Sequence, residues 1–515
     1  MNLRARTLRN TLFSSVAMYT EYVLGMVTSI VIARHLGPEG FGAYGAAIWL
    51  VGMGVAATNS GTASTAIRFV AELRGAGREA LVRPLVAYLR RVQRTFMAAV
   101  LAIGALALWL AGSKVAPGFD HRLLFAFLVV SIALRASYMF NIGVAKGLED
   151  FRINARVALV AAPLNLVLAA LVAWLDKPVE WQLGVFLVSG LVFYAMSWTQ
   201  VQALLPPGDR RPALPADLVP RIRRQMLYAT MIVTVGFVVA SEVEVMFLNA
   251  GGLAHDAGQF KVGYQLASGA ATLVPGVFAA LLLPMMASAL TQGRAVAGHR
   301  FAASTAYLTL LAAPLTTFGI ALSGALVHVL YGARYDSAAT VFAICLAGSA
   351  LLATAQGASS LLISADRQRL VLILIATCGL SKLALDAWLI RSDGLRGALV
   401  AFAVVAAFNV IASFALAIRE CGVSPDWARI GRILLAGTCA AAPAALLAVW
   451  LSPMAALLAG AACAVTYLPW TLALRCWSRN DIAHMRQLHA RLMRGRPRFL
   501  ARLFAWGDAR MEITA

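Results

Sequence analysis

Residues 11–33 read TLFSSVAMYTEYVLGMVTSIVIA, with Glu21 as the one ionisable group midway. A hydrocarbon core about 30 Å thick needs ~20 mostly apolar residues in an α-helix, because every backbone N–H and C=O inside it must be satisfied within the segment. This stretch meets that requirement. Working outward, the same pattern recurs near 43–66, 95–112, 122–144, 156–175, 183–203, 226–249, 262–289, 303–327, 338–363, 370–390, 397–418, 433–450 and 454–475. Fourteen membrane-spanning helices are therefore expected, and the fold class is all-α integral membrane. A hydrophobic content of 61%, a charged content of 13% and a mean hydropathy of +0.77 agree with it. No connecting segment is long enough for a separate soluble domain.

Orientation follows from Lys and Arg in the short loops. Of the 44 basic residues, 34 fall on the side of the N-terminus, the loops after even-numbered spans and the C-terminal tail. The other side carries 8, namely Arg34, Lys114, Arg122, Lys177, Lys261, Arg334, Arg391 and Arg396, while Arg135 and Lys382 lie inside spans. Both termini are thus expected in the cytoplasm of a multi-pass inner (plasma) membrane protein. The net charge of +21 is mainly a topology signal, which excludes nucleic acid as the partner that pI ≈ 10.5 would otherwise suggest. Arg4, Arg6 and Arg9 before an apolar run resemble a secretion signal. The run is too long, and is followed by too many further spans, to be read as a cleaved one. The six cysteines show no CxxC spacing, so neither a disulfide framework nor a metal site is expected.

The chain repeats itself. Gly42-Ala-Tyr44-Gly-Ala-Ala47 after span 1 and Gly258-Gln-Phe260-Lys-Val-Gly263 after span 7 share a Gly-x-aromatic-x-x-small pattern at the outer entry to the next helix. This suggests two six-helix lobes, 10–203 and 226–418, with helices 13 and 14 (433–475) appended and a basic amphipathic tail (476–515). The linker, 204–225, is rich in Pro and Arg, a composition that favours an extended, solvated connection. Repeats of this kind are a common plan of secondary transporters, with a site at their interface.

The segment Ala33-Arg34-His35-Leu36-Gly37-Pro38-Glu39-Gly40-Phe41-Gly42 resembles the first outer loop of bacterial polysaccharide flippases. These form a branch of the multidrug/oligosaccharidyl-lipid/polysaccharide exporter superfamily. Gly61 with Arg68 and Ala71-Glu72, Leu330-Tyr331-Gly332 with Tyr335 and Ala338, and Gly394-Gly397-Ala398-Leu399 are similar to the family's patterns at the corresponding places. In turn chemistry alone, Arg34 would cap span 1, Gly37-Pro38 would stop it, and Gly40 and Gly42 would allow a tight reversal. The resemblance implies two lobes in a V around a central cavity lined largely by spans 1, 2, 7 and 8. It also implies an undecaprenyl-diphosphate-linked oligosaccharide as substrate, for lipopolysaccharide or exopolysaccharide assembly. Membrane lipids, a polysaccharide polymerase and glycosyltransferases would be its partners.

Ionisable groups inside spans are the candidate site residues, because each costs roughly 2.5–3.5 kcal/mol at a helix centre. Arg135 is the first candidate for the substrate's phosphates and Arg68 the second, since a guanidinium is a planar fork that matches phosphate oxygens. An ion pair between Arg135 and Glu21 or another carboxylate is the competing reading. Asn59 and Gln265 are candidates for sugar contact, against the simpler role of bonding helix to helix. Glu21 and Glu242 are candidates for coupling to H⁺ or Na⁺. Glu242 and Glu244 would lie ~200° apart around a helix, so only one can face the cavity, and Glu242 is preferred as the deeper. Lys382 and Asp386, spaced i, i+4, are secondary candidates, with mutual neutralisation as the alternative. No cofactor or metal is expected.

Pro275 and Pro284 in span 8 and Pro314 in span 9 are candidate hinges. Residues 79–94 place Leu81, Leu85, Leu89 and Val92 on one helical face with Arg83, Arg90, Arg91 and Arg94 elsewhere, as for a helix lying on an anionic leaflet. The tail repeats this with Phe499, Leu503, Phe504 and Trp506 among Arg498 and Arg502. There is no Gly-x-x-x-x-Gly-Lys-[Ser/Thr] loop, no HExxH and no long outer loop for catalysis, so the chain is read as a transporter and not an enzyme. Within the same fold, a multidrug or small-metabolite cation antiporter and a peptidoglycan lipid-precursor flippase are the alternatives.

Overall fold

The computed structural model describes residues 3–115, 120–206, 214–240, 242–273, 279–478, 481–483, 486–487 and 505–506. The described residues form helices and no strand. In chain order they are α1 (Leu3–Gly75), α2 (Val82–Val115), α3 (His121–Gly147), α4 (Arg152–Trp174), α5 (Val179–Leu204) and α6 (Leu218–Ala240). Then come α7 (Val243–Ala250), α8 (Ala254–Leu273), α9 (Ala279–Gln292), α10 (Arg294–Ala321), α11 (Ser323–Tyr331) and α12 (Ala338–Thr354). The chain continues through α13 (Gln356–Ser364), α14 (Gln368–Cys421), α15 (Trp427–Ala448), α16 (Pro453–Ala464) and α17 (Tyr467–Ala473).

Among the described residues, nine helical stretches are long and apolar enough to cross a membrane. Their apolar residues face outward in quantity: Trp109, Trp174, Trp388 and Trp450 are all largely exposed. That is the arrangement expected when lipid, not water, is the surrounding solvent. The stretches are fewer than the spans read from sequence partly because two helices each carry two spans. Spans 1 and 2 both lie in α1, on either side of Gly37 (φ 69°, ψ 176°) and Pro38. Spans 11 and 12 both lie in α14, on either side of Gly394 (φ 55°, ψ −125°). The turn expected at 34–42 is therefore a single-residue break at a glycine with positive φ, and helix resumes at once. Gly40 and Gly42 are helical, so their role is not to permit a reversal.

Span 7 is interrupted. Helix α6 ends at Ala240, Glu242 (φ −76°, ψ 52°) stands outside helical geometry, and α7 begins at Val243. Glu242 and Glu244 therefore do not share one continuous helix, and the ~200° separation expected for them does not hold. Helix α6 also starts at Leu218, so Arg221, Arg223 and Arg224 are helical and not part of an extended linker. Of the candidate hinges, Pro284 lies in α9 and Pro314 in α10. Pro275 and the tail residues Arg498, Phe499, Arg502, Leu503 and Phe504 lie outside the described residues.

Contacts divide the chain into two compact units. Unit 1 is Met1–Lys261 with Leu383–Leu395, and unit 2 is Val262–Lys382 with Arg396–Ala515. In unit 1, α1 packs against α2, α3, α4, α6 and α7, and α5 lies on α3 and α4. In unit 2, α10 packs against α9, α12 and α15, α13 lies on α9, and α15 carries α16 and α17.

Segment 79–94 is not a free surface helix. It forms a short 3₁₀ turn and the start of α2, and Val82, Leu85, Val86 and Leu89 are buried with Phe69, Val70 and Leu73 of α1. Protein covers the apolar stripe that the sequence reading gave to lipid.

Candidate functional site

Small residues let the helices of unit 1 approach closely. A methyl group added to Gly42 would collide with the carbonyl oxygen of Ala254, and one added to Gly258 would collide with that of Pro38. The two repeat glycines thus pack reciprocally, each on the backbone of the other motif's turn. Asn249 reinforces the contact by donating from Nδ2 to the Gly42 carbonyl at 3.1 Å. Further along α1, a methyl at Gly61 would meet Thr230 and the Met226 carbonyl of α6. Backbones this near leave no space for any side chain larger than hydrogen.

Close packing brings α1, α3, α4 and α5 around a polar cluster. Tyr138 donates its hydroxyl to Glu21 Oε1 at 3.1 Å and also lies 3.3 Å from Asn154 Oδ1. One turn before Tyr138 on α3, the Arg135 guanidinium sits over the Phe186 ring at 4.5 Å and the Phe193 ring at 4.7 Å, both from α5. Tyr138 and Phe193 are themselves in ring contact at 4.9 Å. Among the described residues Arg135 forms no salt bridge with Glu21, whose partner is the tyrosine. The Arg135 Nε is buried with no hydrogen-bond acceptor. Two aromatic faces can hold a guanidinium through its π-cloud contacts while leaving N–H groups for another acceptor.

A second ionic contact lies at the break in span 7. Lys261 Nζ donates to Glu242 Oε2 at 2.9 Å, with side-chain exposures of 10% and 21%. The ammonium also lies 5.7 Å from the Phe41 ring, and its stem runs against Gly45. The pair links the helix break to the second repeat motif. Lys261, counted in sequence as an outer-loop charge, is a buried partner. Glu244 is completely buried in α7.

The remaining sequence candidates are dispersed. Arg68 is exposed, donates to Gln225 Oε1 at 2.7 Å and lies by Phe69, while its neighbour Glu72 binds Arg221 at 2.9 Å. Both tie α1 to α6. Asn59 is buried, and its Oδ1 accepts from Gln93 Nε2 at 3.0 Å and Thr62 Oγ1 at 3.4 Å. Gln93 also donates to the Ala136 carbonyl at 2.9 Å. This network joins α1, α2 and α3, so Asn59 is placed for helix-to-helix bonding. Gln265 is half-buried on the unit 2 part of α8. Lys382 and Asp386 are both buried on α14.

The sequence reading missed Tyr138, Phe186, Phe193, Gln93 and Lys261. Tyr138 was visible in principle, because residues i and i+3 share a helix face and Arg135 had already been singled out. The α5 phenylalanines carried no signal, being ordinary apolar residues of a span. Among the described residues no group of three or more His, Cys, Asp or Glu is placed to hold a metal.

Unit 2 holds a different cavity, about 630 Å³, bounded by α10, α12, α14 and α15. Its walls include Thr309, Thr316, Ala350, Ala415, Phe414 and Trp427. The threonines do not make it polar, since Thr305, Thr309, Thr316 and Thr317 each donate to the carbonyl four residues back at 2.8–3.0 Å.

The fold is shared with solved transporters. The structure of lipid II flippase MurJ in an inward closed conformation is similar with a TM-score of 0.66 at 14% identity, covering 89% of this chain and 98% of that one. An inward-facing multidrug resistance MATE family transporter of the MOP superfamily gives a TM-score of 0.63 at 16% identity, covering 82% and 98%. MATE in complex with MaL6 gives 0.56 at 15%, covering 83% and 96%. No curated protein matches the chain in sequence. The family model described as polysaccharide biosynthesis protein matches residues 7–290, more than half of the sequence, and the chain is a multi-pass membrane protein that belongs to that family.

Proposed function

We propose that the protein translocates a lipid-diphosphate-linked oligosaccharide across the bacterial inner membrane, from the cytoplasmic leaflet outward, for polysaccharide assembly. The observation that carries this reading is Arg135, an arginine midway along a span, held between two phenylalanine faces, with a buried Nε that no acceptor among the described residues satisfies. A buried donor left without a partner is costly, and a phosphate oxygen would satisfy it. Unit 2 separately carries an apolar cavity that suits hydrocarbon. Family membership and the flippase fold support the same substrate class.

In this reading the halves 10–203 and 226–418 act as lobes. Glu21 and Glu242 would couple the cycle to H⁺ or Na⁺; Glu21 accepts from Tyr138 and Glu242 from Lys261. The MATE-like fold keeps a cation antiporter as a second reading, with Glu21 as its anionic group. The deciding experiment places Arg135→Ala and Glu21→Gln in a strain lacking the wild-type gene, and measures surface polysaccharide and lipid-linked sugar on the inner leaflet. Loss of the polymer with inner-leaflet accumulation in Arg135→Ala is expected. Undiminished polysaccharide, with loss of drug resistance in Glu21→Gln, overturns the flippase reading.

A further inference from the structure

Four arginines of α2 line one pocket. Arg83, Arg90, Arg91 and Arg94 face a space of about 370 Å³ closed on its other side by Trp198 and Gln202 of α5. Their spacing explains this. Positions 83, 90, 91 and 94 fall on one stripe of a 3.6-residue helix across three turns, opposite the stripe of Val82, Leu85 and Leu89 that packs on α1. Arg90 is fixed in place. Its guanidinium stacks 4.1 Å from the Trp198 ring, lies 5.4 Å from Phe140, and donates to Asn141 Oδ1 at 2.9 Å. Asn141 in turn donates to Ser197 Oγ at 3.1 Å, tying α3 to α5 beneath the arginine. Arg91 and Arg94 are exposed at the rim.

The pocket is formed by the N-terminal end of α2 and the C-terminal end of α5. Those ends adjoin the loops after spans 2 and 6, which the positive-inside pattern assigns to the cytoplasm. Two exposed guanidinium groups, Arg91 and Arg94, at the mouth of one concavity repel each other, and a bound anion relieves that repulsion. A tryptophan on the wall is the residue expected at the level of lipid headgroups.

We propose that this pocket is a binding site for the phosphate of a lipid headgroup in the cytoplasmic leaflet, with Arg90 as the ordered fork and Arg91 and Arg94 as the exposed contacts. The chemistry is a phosphate ester or diphosphate carried on an apolar anchor. Two lipids offer it: a bulk anionic phospholipid, and an isoprenoid diphosphate carrier. The site stands on the Arg90–Trp198 contact and the lining that α2 and α5 share, and does not require the transport reading.

The test uses the full-length protein in nanodiscs of phosphatidylcholine, with lipid capture read by native mass spectrometry. One arm adds phosphatidylglycerol, a second adds a short-chain polyprenyl diphosphate, and a third adds soluble pyrophosphate. Arg91→Gln/Arg94→Gln changes only exposed side chains and leaves the stacked Arg90 intact, so its folding is not at risk. Arg156→Gln/Arg224→Gln removes the same charge from exposed helix positions elsewhere. Capture of the lipid phosphate falls at least about tenfold in the pocket variant and less than about twofold in the control, given a contribution of roughly fivefold per arginine near a charged lipid surface. The arm that responds identifies the lipid. An equal fall in both variants, no fall in either, or retention of pyrophosphate alone with no lipid would overturn the site.

Discussion

The ionisable and amide clusters of unit 1 bond across helices, whereas the threonines around the cavity of unit 2 bond back onto their own helix. In unit 1 Tyr138 reaches Glu21, Gln93 reaches Asn59, and Lys261 reaches Glu242, each from one helix or turn to another. In unit 2 Thr305, Thr309, Thr316 and Thr317 spend their donors on their own helix and present methyl groups to the cavity. Long polar side chains in one place and hydroxyls in the other therefore yield two environments. One orients charge and fixes the distances between ionisable groups, while the other is a dry slot with no directional demand.

The contrast is broken most severely at Arg135. Arg135→Ala removes the one intramembrane guanidinium of α3, and translocation is expected to fall by at least about a hundredfold, as for loss of a buried charged contact. Arg135→Lys restores less than about a tenth, because an ammonium cannot reproduce a planar fork between two rings. Near-complete rescue by lysine, measured as surface polysaccharide at matched protein level, would reduce the site to a point charge.

Next in size is the pair at the helix break. Lys261→Met leaves the Glu242 carboxylate partly buried without its cation, which costs about 3 kcal/mol of stability. The double change Lys261→Met/Glu242→Gln recovers most of that loss. Thermal unfolding in detergent checks both, and a double variant no better than the single would show that the two side chains are not coupled.

Much of the fold was legible because membrane spans obey one strong rule: apolar length. Spans 4, 5 and 6 coincide with α3, α4 and α5 to within a few residues, and Gly37-Pro38 marked a real break in α1. Glu21 and Arg135 stood out because charge inside a span is expensive, and the structure brings both to one cluster through Tyr138. What sequence did not convey was pairing. Lys261 read as a loop charge because its partner is set by the break at Glu242, and nothing in the composition of span 7 marks a break there. Leu85 and Leu89 read as lipid-facing because periodicity shows that a face is apolar, not what covers it. Gly42 and Gly258 were found by their repeat. That they touch reciprocal backbones is a tertiary fact that no local pattern encodes.

The other side of the contrast is sharpened by filling the slot. Ala415 lines the unit 2 cavity and is exposed within it, so Ala415→Trp occupies space without overpacking a closed core. Translocation of a long-tailed substrate is expected to fall roughly threefold to tenfold, consistent with displacing a few buried methylenes. The melting temperature should stay within a few degrees. Equal loss with a substrate analogue carrying a much shorter tail would show that the cavity does not hold hydrocarbon.

The smallest effect is expected where unit 2 does bond across elements, beyond its last helix. Asp481 accepts from the Tyr307 hydroxyl at 2.6 Å and the Ser478 backbone N–H at 2.9 Å, and lies 3.4 Å from Arg429 Nη2. Burial alone would push its pKa up. The hydrogen bonds from Tyr307 and Ser478, helped by Arg429, outweigh that and hold the carboxyl below the ordinary aspartate value. With the folded pKa below the unfolded one, the linkage stabilises the protein fully above about pH 4 and is lost as pH falls through the folded value. Thermal melts from pH 7 to pH 3 should therefore show a wild-type decrement below about pH 4 that is smaller in Asp481→Asn, with a difference at neutral pH on the order of 1 kcal/mol. The asparagine variant should also leave translocation unchanged, because the contact ties the chain after α17 to α10 and α15 and touches neither the Arg135 cluster nor the apolar slot.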